Sequence, residues 1–171
     1  LSLRRQRQMC IRDSNTGLGG NVLAAVTTGT NNVAVGYNVL NDNTTGQQNT
    51  AVGYNVMAVS TTGTANVAVG NLALDANTSG DGNVAVGNQA LTASTTADNN
   101  TAVGRDAGGA LTTGSSNTAL GAYALDATTT ASNNTALGYN SLGANTTGAD
   151  NTAVGMYALD ANTTASNNVA V

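Results

Sequence analysis

The sequence predicts an all-β fold, a parallel β-solenoid of nine 17-residue coils followed by a truncated tenth. Three observations predict it. Asn recurs at a constant interval of 17 residues, a short segment of each unit alternates as a strand does, and each unit ends in residues typical of turns. No insertion or deletion occurs between units. Constant unit length is what a solenoid requires, because each coil must stack in register on the one before it.

Asn occupies position 1 of every coil, which is the strictest feature of the repeat. Stacked coils align equivalent residues, so these side chains are expected to form a ladder of amides along the axis. An Asn-lined ligand groove is the alternative. The predicted ladder residues are Asn15, Asn32, Asn49, Asn66, Asn83, Asn100, Asn117, Asn134, Asn151 and Asn168.

The segment N-[TV]-A-[VL]-G predicts a strand in which positions 2 and 4 face one way and position 3 the other. Position 5 is always Gly, from Gly19 onward, which indicates a positive φ or a close backbone approach. The predicted turn residues are Gly36, Gly53, Gly70, Gly87, Gly104, Gly121, Gly138 and Gly155.

The following A-L-x-A segment predicts a second short strand, and positions 4 and 9 are expected to form a thin apolar core with Ala filling the remaining space. Coil 6 departs from the pattern: Gly108 stands at position 9 and Leu111 follows three residues later. There a different residue should fill the core, and we expect this coil to be the weakest. The predicted core residues are Leu18, Val35, Val52, Val69, Val86, Val103, Leu120, Leu137 and Val154 at position 4, and Leu40, Leu74, Leu91, Leu125, Leu142 and Leu159 at position 9.

Paired Thr residues at positions 13 and 14 predict turn and ladder hydrogen bonding. Flat Thr arrays on solenoids can also order ice, but adjacent Thr residues of a strand point to opposite faces. Ice binding therefore remains a minor alternative. Four N-glycosylation sequons, beginning at Asn43, Asn77, Asn145 and Asn162, are interpreted as by-products of the repeated turn.

Composition argues against an enzyme. Ala, Thr, Asn and Gly supply 102 of the 171 residues, and His, Lys and Glu are absent, which removes most general bases and metal ligands. We expect no catalytic residue, cofactor or metal site. Beyond residue 14 the chain has eight Asp and only Arg105, so nucleic acid is not an expected partner. No apolar segment is long enough for membrane insertion.

Residues 1–14 share no composition with the repeat and hold four of the five Arg residues and Cys10. Their string RRQRQMCIRDS is similar to translated sequencing-adapter read-through. The sequence therefore predicts a non-native or disordered leader over 1–14 and a repeat domain over 15–171, which we interpret as a fragment open at its C-terminus.

The recurring N-[TV]-A-[VL]-G followed by A-L resembles the head repeats of YadA-like trimeric autotransporter adhesins. The longer unit that begins at Asn134 is also similar to repeats of phage tail-fibre proteins. The resemblance implies a left-handed β-roll, a homotrimer, and an extracellular place on the bacterial surface, attached to the outer membrane. It implies adhesion to a host or bacterial surface receptor or to extracellular matrix. A phage tail-fibre shaft or receptor-binding segment on a virion is the alternative, and an ice-binding solenoid is the minor one.

Overall fold

The protein is a single-layer β-solenoid, and the computed structural model describes residues 14–171. Ten parallel strands form one sheet in the order β1 to β10, and each strand pairs with the next at a register of 17 residues. The predicted all-β solenoid is confirmed. The strands are β1 (Thr16–Gly20), β2 (Val33–Tyr37), β3 (Thr50–Tyr54), β4 (Val67–Asn71), β5 (Val84–Val86), β6 (Thr101–Val103), β7 (Thr118–Leu120), β8 (Thr135–Leu137), β9 (Thr152–Val154) and β10 (Val169–Ala170).

Each coil contains one strand, so the predicted second strand over A-L-x-A is wrong. Its residues form turns, because position 7 takes φ values of 49° to 61° and Leu or Met at position 9 takes 47° to 55°. Left-handed residues that alternate in this way cannot belong to an extended strand. Hydrogen bonds between coils nevertheless continue here, as from the Leu40 N–H to the Val56 carbonyl at 3.1 Å.

The left-handed conformation of position 9 costs about 1–3 kcal/mol for a residue other than Gly. Leu40, Leu74 and Leu142 are completely buried in that conformation. Full burial of a Leu side chain contributes about 1.5–3 kcal/mol, which offsets the backbone cost. A β-branched residue would be strained further at this φ, and position 9 holds only Leu, Met or Gly.

The interior of the rod is narrow and is lined by positions 1, 3, 8, 9, 12 and 15 of each coil. The Ala at position 3, such as Ala34 and Ala51, is completely buried and faces the Leu or Met of position 9 in the same hydrophobic cluster. Of the predicted position 9 residues, only Leu159 in the last complete coil is partly exposed. The core is therefore built from Ala on the strand and from Leu on the turn.

The prediction that position 4 lies in the core is wrong. The structure turns the Ala of position 3 inward, into the cluster that holds the position 9 residues. Because neighbouring side chains of a strand point to opposite faces, positions 2 and 4 point outward. The outward residues wrongly assigned to the core are Leu18, Val35, Val52, Val69, Val86, Val103, Leu120, Leu137 and Val154, of which Leu18 is 63% exposed and Leu120 49% exposed.

Coil 6 keeps its length although its core residue has moved. Leu111, at position 12, is buried and belongs to the same cluster as the Leu residues of position 9. A Cβ atom on Gly108 would lie 2.9 Å from Cδ2 of Leu91, so a side chain at this position would require Leu91 to move. Leu111 thus reaches the core from the next turn and replaces the missing residue, as the sequence predicted.

Candidate functional surfaces

The Asn column at position 1 lies inside the rod, where its side chains bind one another. Asn32 illustrates the pattern: its Nδ2 donates to Asn15 Oδ1 at 3.0 Å and to the Gly46 carbonyl at 2.9 Å. Its Oδ1 accepts from the backbone N and the Nδ2 of Asn49 at 3.0 and 3.1 Å. Both donors and both acceptor sites of this buried amide are used, so nothing remains for a ligand. From Asn15 to Asn151 the column is buried, and Asn168 is half-buried.

Two features of the backbone require Gly at position 5 of each coil. These residues take φ values of 128° to 147°, a region that side chains disfavour. From Gly19 to Gly138, a Cβ atom would also meet the peptide group of the Gly one coil further on. In β1 to β4 the column lies within the strand, so the predicted turn is wrong at Gly36, Gly53 and Gly70, and from Gly87 onward the Gly directly follows the strand. The column allows the coils to approach each other, and it offers no side chain to a partner.

The Thr column at position 13 is also committed to the fold. Each hydroxyl from Thr27 to Thr146 donates to the carbonyl of the equivalent Thr in the following coil, as from Thr44 to Thr61 at 3.0 Å. Position 14 is exposed in every coil. The two Thr columns therefore differ in role and do not form one flat double array.

The Asn side chains of the predicted sequons also form hydrogen bonds within the fold. Asn43, Asn77 and Asn145 are completely buried, and each Nδ2 donates to the carbonyl three residues later. Asn162, in the last complete coil, makes the same bond to Ala165 at 3.0 Å. Each of these four residues stabilises the turn of its own coil.

Positions 2 and 4 form the outer face of the sheet, which we call the outer sheet face. It holds only Thr and Val at position 2 and only Val and Leu at position 4, so no charge interrupts it along ten strands. Coils spaced by about 4.8 Å give a length of about 43 Å, and the strands β1 to β9, of three to five residues, give a width of about 10–16 Å. The face therefore covers on the order of 400–700 Å². The largest apolar patch of a typical monomer is about 300–600 Å².

Two groups of Tyr rings border this face, and they differ in geometry. Tyr37 and Tyr54, both at position 6, stack with centroids 5.7 Å apart and an interplanar angle of 12°. Tyr123, Tyr139 and Tyr157 alternate between positions 7 and 6 in three successive coils. Their rings meet edge to face, with centroids 5.8 and 5.5 Å apart.

Charged groups lie next to the second group of rings. The guanidinium carbon of Arg105 lies 5.5 Å from the centroid of the Tyr123 ring, and its Nε donates to Asp106 Oδ2 at 3.0 Å. Asp126 is half-buried above Gly109, where a Cβ atom would lie 2.9 Å from its Oδ1. Burial raises the pKa of Asp126, and the negative charge of Asp106 raises it further. Burial also raises the pKa of Asp75, although a hydrogen bond from the backbone of Ala58 opposes the increase.

Within residues 14–171 no three His, Cys, Asp or Glu residues come together as they would around a metal ion. In the same part of the chain no helix is long and apolar enough to cross a membrane. The predicted leader lies outside the described residues, apart from Ser14.

Comparison of the chain with protein-family models, with curated proteins and with solved structures finds no match.

Proposed function

We propose that this chain is a structural and adhesive module of a bacterial surface fibre, similar to a trimeric autotransporter adhesin head, and that it assembles as a homotrimer through its outer sheet face. One observation carries the proposal: the outer sheet face is uncharged over all ten strands and exposes Val33, Val67 and Leu120 by 37%, 37% and 49%. Association would remove these side chains from water, at about 25 cal/mol for each Å² of apolar area.

The thin core supports the same proposal. The buried cluster consists largely of Ala, with one Leu or Met in most coils. In a repeat protein, stability comes from each coil and its neighbours. Lateral association of three rods would add burial that the narrow interior cannot provide. The extracellular location and the role in attachment follow from the resemblance of the repeat and belong to the proposal.

Sedimentation equilibrium of the full chain tests the assembly. We expect a trimer at micromolar concentration, and a stable monomer would contradict the proposal. Val86→Lys places a charge in the middle of the outer sheet face and should dissociate the trimer, because a buried, unpaired ammonium group is costly. Thr96→Lys, on the exposed position 14 column of the same coil, is the matched control and should leave the trimer intact.

A phage tail-fibre shaft would use the same rod and the same face. Recovery of the complete reading frame separates the two assignments. A membrane-anchor barrel downstream of the repeat would support the adhesin, whereas a self-cleaving chaperone domain would support the tail fibre.

The regularity of the outer sheet face also favours a second function, ice binding. Its Thr and Val side chains are β-branched, nearly equal in shape and repeated at every coil, a flat array to which ordered water could conform. The candidate ice-binding surface is therefore not the paired Thr columns inferred from the sequence. The position 13 hydroxyls of those columns donate to backbone carbonyls. Thermal hysteresis of the purified protein is the test, and its absence would exclude this function.

A further inference from the structure

We infer that Tyr123, Tyr139, Tyr157, Asn140 and Asp126 form a binding site for an extended, neutral, β-linked oligosaccharide. We call these five residues the tyrosine site. The inference names the receptor chemistry of the proposed adhesive module, and it rests on that proposed function for its biological role. Binding itself requires only the geometry of coils 7 to 9.

The rings supply the apolar part of the site. The three Tyr residues stand in successive coils and are held at fixed edge-to-face angles of 80°. Tyr139 and Tyr157 are exposed by 45% and 47%. Sugar rings carry faces of C–H groups that pack on aromatic surfaces, and Tyr adds a hydroxyl that can bind the rim of a sugar. Because the rings hold one another in place, little conformational entropy is lost when a ligand binds.

Asn140 supplies polar groups in the coil between those of Tyr123 and Tyr157. It occupies position 7 between Tyr123 and Tyr157 in the column, and its side chain packs against Gly143. The other Asn residues near the aromatic clusters bind their equivalents, as Asn38 binds Asn55 at 3.0 Å. The Asn140 amide makes no side-chain hydrogen bond to any described residue. It can therefore donate to one sugar hydroxyl and accept from another.

Asp126 supplies a second acceptor, three residues after Tyr123 on the same turn. Arg105 pairs with Asp106, whereas the Asp126 carboxylate has no ion pair and accepts no hydrogen bond within the described part of the chain. A half-buried carboxylate without a partner is a strong acceptor for hydroxyl groups. A polycation is the competing ligand class, but Arg105 already lies against Tyr123 and neutralises Asp106.

The spacing of the rings favours a linear chain with β-linkages. The contacts run along the rod axis, and neighbouring coils are about 4.8 Å apart. An extended β-1,4-linked hexose chain advances by a similar length for each sugar, so successive sugars can meet successive coils. An α-1,4-linked chain coils and cannot follow three rings in line.

Isothermal titration of the full chain with cellohexaose and with chitohexaose tests the inference, with maltohexaose as the α-linked control. We expect one of the β-linked probes to bind weakly and maltohexaose not to bind. Tyr139→Ala should weaken binding about ten-fold, because it removes the central ring. Tyr139→Phe should change it less than about three-fold, since the ring remains. Tyr54→Ala, in the other pair of rings, is the matched control and should leave binding unchanged.

Asn140→Ala keeps the test decisive if Tyr139→Ala fails to fold. The amide makes no side-chain hydrogen bond to the described residues, so its loss should not change the melting temperature. It should weaken binding by about two- to ten-fold. No binding of either β-linked probe, equal binding of maltohexaose, or binding of a polylysine peptide instead would overturn the inference. Sugar binding by a protein that sediments as a monomer would overturn the proposed trimer and leave the tyrosine site standing.

Discussion

Two polar columns run through the interior of the rod, at position 1 and at position 12, and they differ in where their hydrogen-bond partners lie. At position 1, each Asn binds the equivalent Asn of the neighbouring coil, as Asn49 binds Asn32. At position 12, most bonds stay within one turn, as between Asn77 and Gly80 at 2.9 and 3.2 Å. The first column is a chain of mutual partners, and the second is a series of mostly separate turns.

This difference explains why one column never varies and the other does. A change at position 1 would leave unpaired groups in two coils, and all ten coils keep Asn. Position 12 holds Asn, Ser, Thr, Leu or Val. Three of its buried atoms have no hydrogen-bond partner among residues 14–171: Asn43 Oδ1, Ser60 Oγ and Ser94 Oγ. In this solenoid, a polar column tolerates fewer substitutions when its side chains need hydrogen-bond partners in the neighbouring coil.

The largest effect is expected from breaking the position 1 column with Asn83→Leu. The change removes the donor to the Ala97 carbonyl at 2.7 Å and the acceptor for the backbone N and the Nδ2 of Asn100. We expect the free energy of unfolding to fall by about 3–5 kcal/mol, measured by chemical denaturation. The exposed Asn88→Leu in the same coil is the control, and equal effects of the two changes would contradict the account of the column.

An intermediate effect is expected at Leu111, where position 12 carries the core residue. Leu111→Asn alone should cost about 2–4 kcal/mol by leaving a cavity, and Gly108→Leu alone about 1–3 kcal/mol by overpacking against Leu91 and Leu111. The double variant restores the ordinary coil and should be close to wild type. A double-mutant cycle measures this coupling, and additive effects would show that the two positions do not share one space.

A smaller effect, of opposite sign, is expected at Ser94. Ser94→Ala removes a buried hydroxyl without a partner and should raise the free energy of unfolding by about 1 kcal/mol. Thr128→Ala is the matched change at the same position and should lower it by about 1 kcal/mol, because Oγ1 of Thr128 donates to the Asn145 carbonyl at 2.9 Å. If both variants were destabilised alike, the hydrogen bond of the hydroxyl would make no difference to the free energy of unfolding.

The smallest effect concerns Asp126, which is half-buried and outside both columns. Its pKa is raised on folding, so its protonated form favours the folded state. In the wild type, the Asp126 carboxyl contributes fully to the free energy of unfolding below its unfolded pKa, near 3.8. This contribution is lost as the pH rises through the pKa of the folded state. Asp126→Asn should therefore raise the melting temperature at pH 7 more than at pH 3. A difference that does not depend on pH would contradict the assignment.

Features that repeat in every coil could be predicted from the sequence, because stacking makes them equivalent. The coil length, the Asn column and the Gly at position 5 belong to this group. Alternation separates positions 2 and 4 from position 3, but it does not show which of these two faces of the strand points into the core. The exchange of Thr for Val at position 2 was the missed signal. A face that accepts a hydroxyl in place of a methyl group in six of its ten strands is an outer face.

The second strand was predicted wrongly because Leu gives no sign of a left-handed backbone. Two traces of that conformation were the absence of β-branched residues at position 9 and the Asn or Asp at position 7 of five coils. The contact between the rings of the tyrosine site could not be predicted either. Tyr123, Tyr139 and Tyr157 occupy two different positions of the repeat, and only the fold of the turn brings their rings into contact.

We propose that other copies of the chain cover the outer sheet face, and thiol accessibility can show whether they do. Val86→Cys on that face and Thr96→Cys on the exposed position 14 column would each be made with Cys10→Ser, which removes the one native thiol. Each protein would be treated with a maleimide under native conditions. We predict slow labelling at residue 86 and rapid labelling at residue 96. Rapid labelling at both residues would contradict the claim, because the face would then be open to solvent.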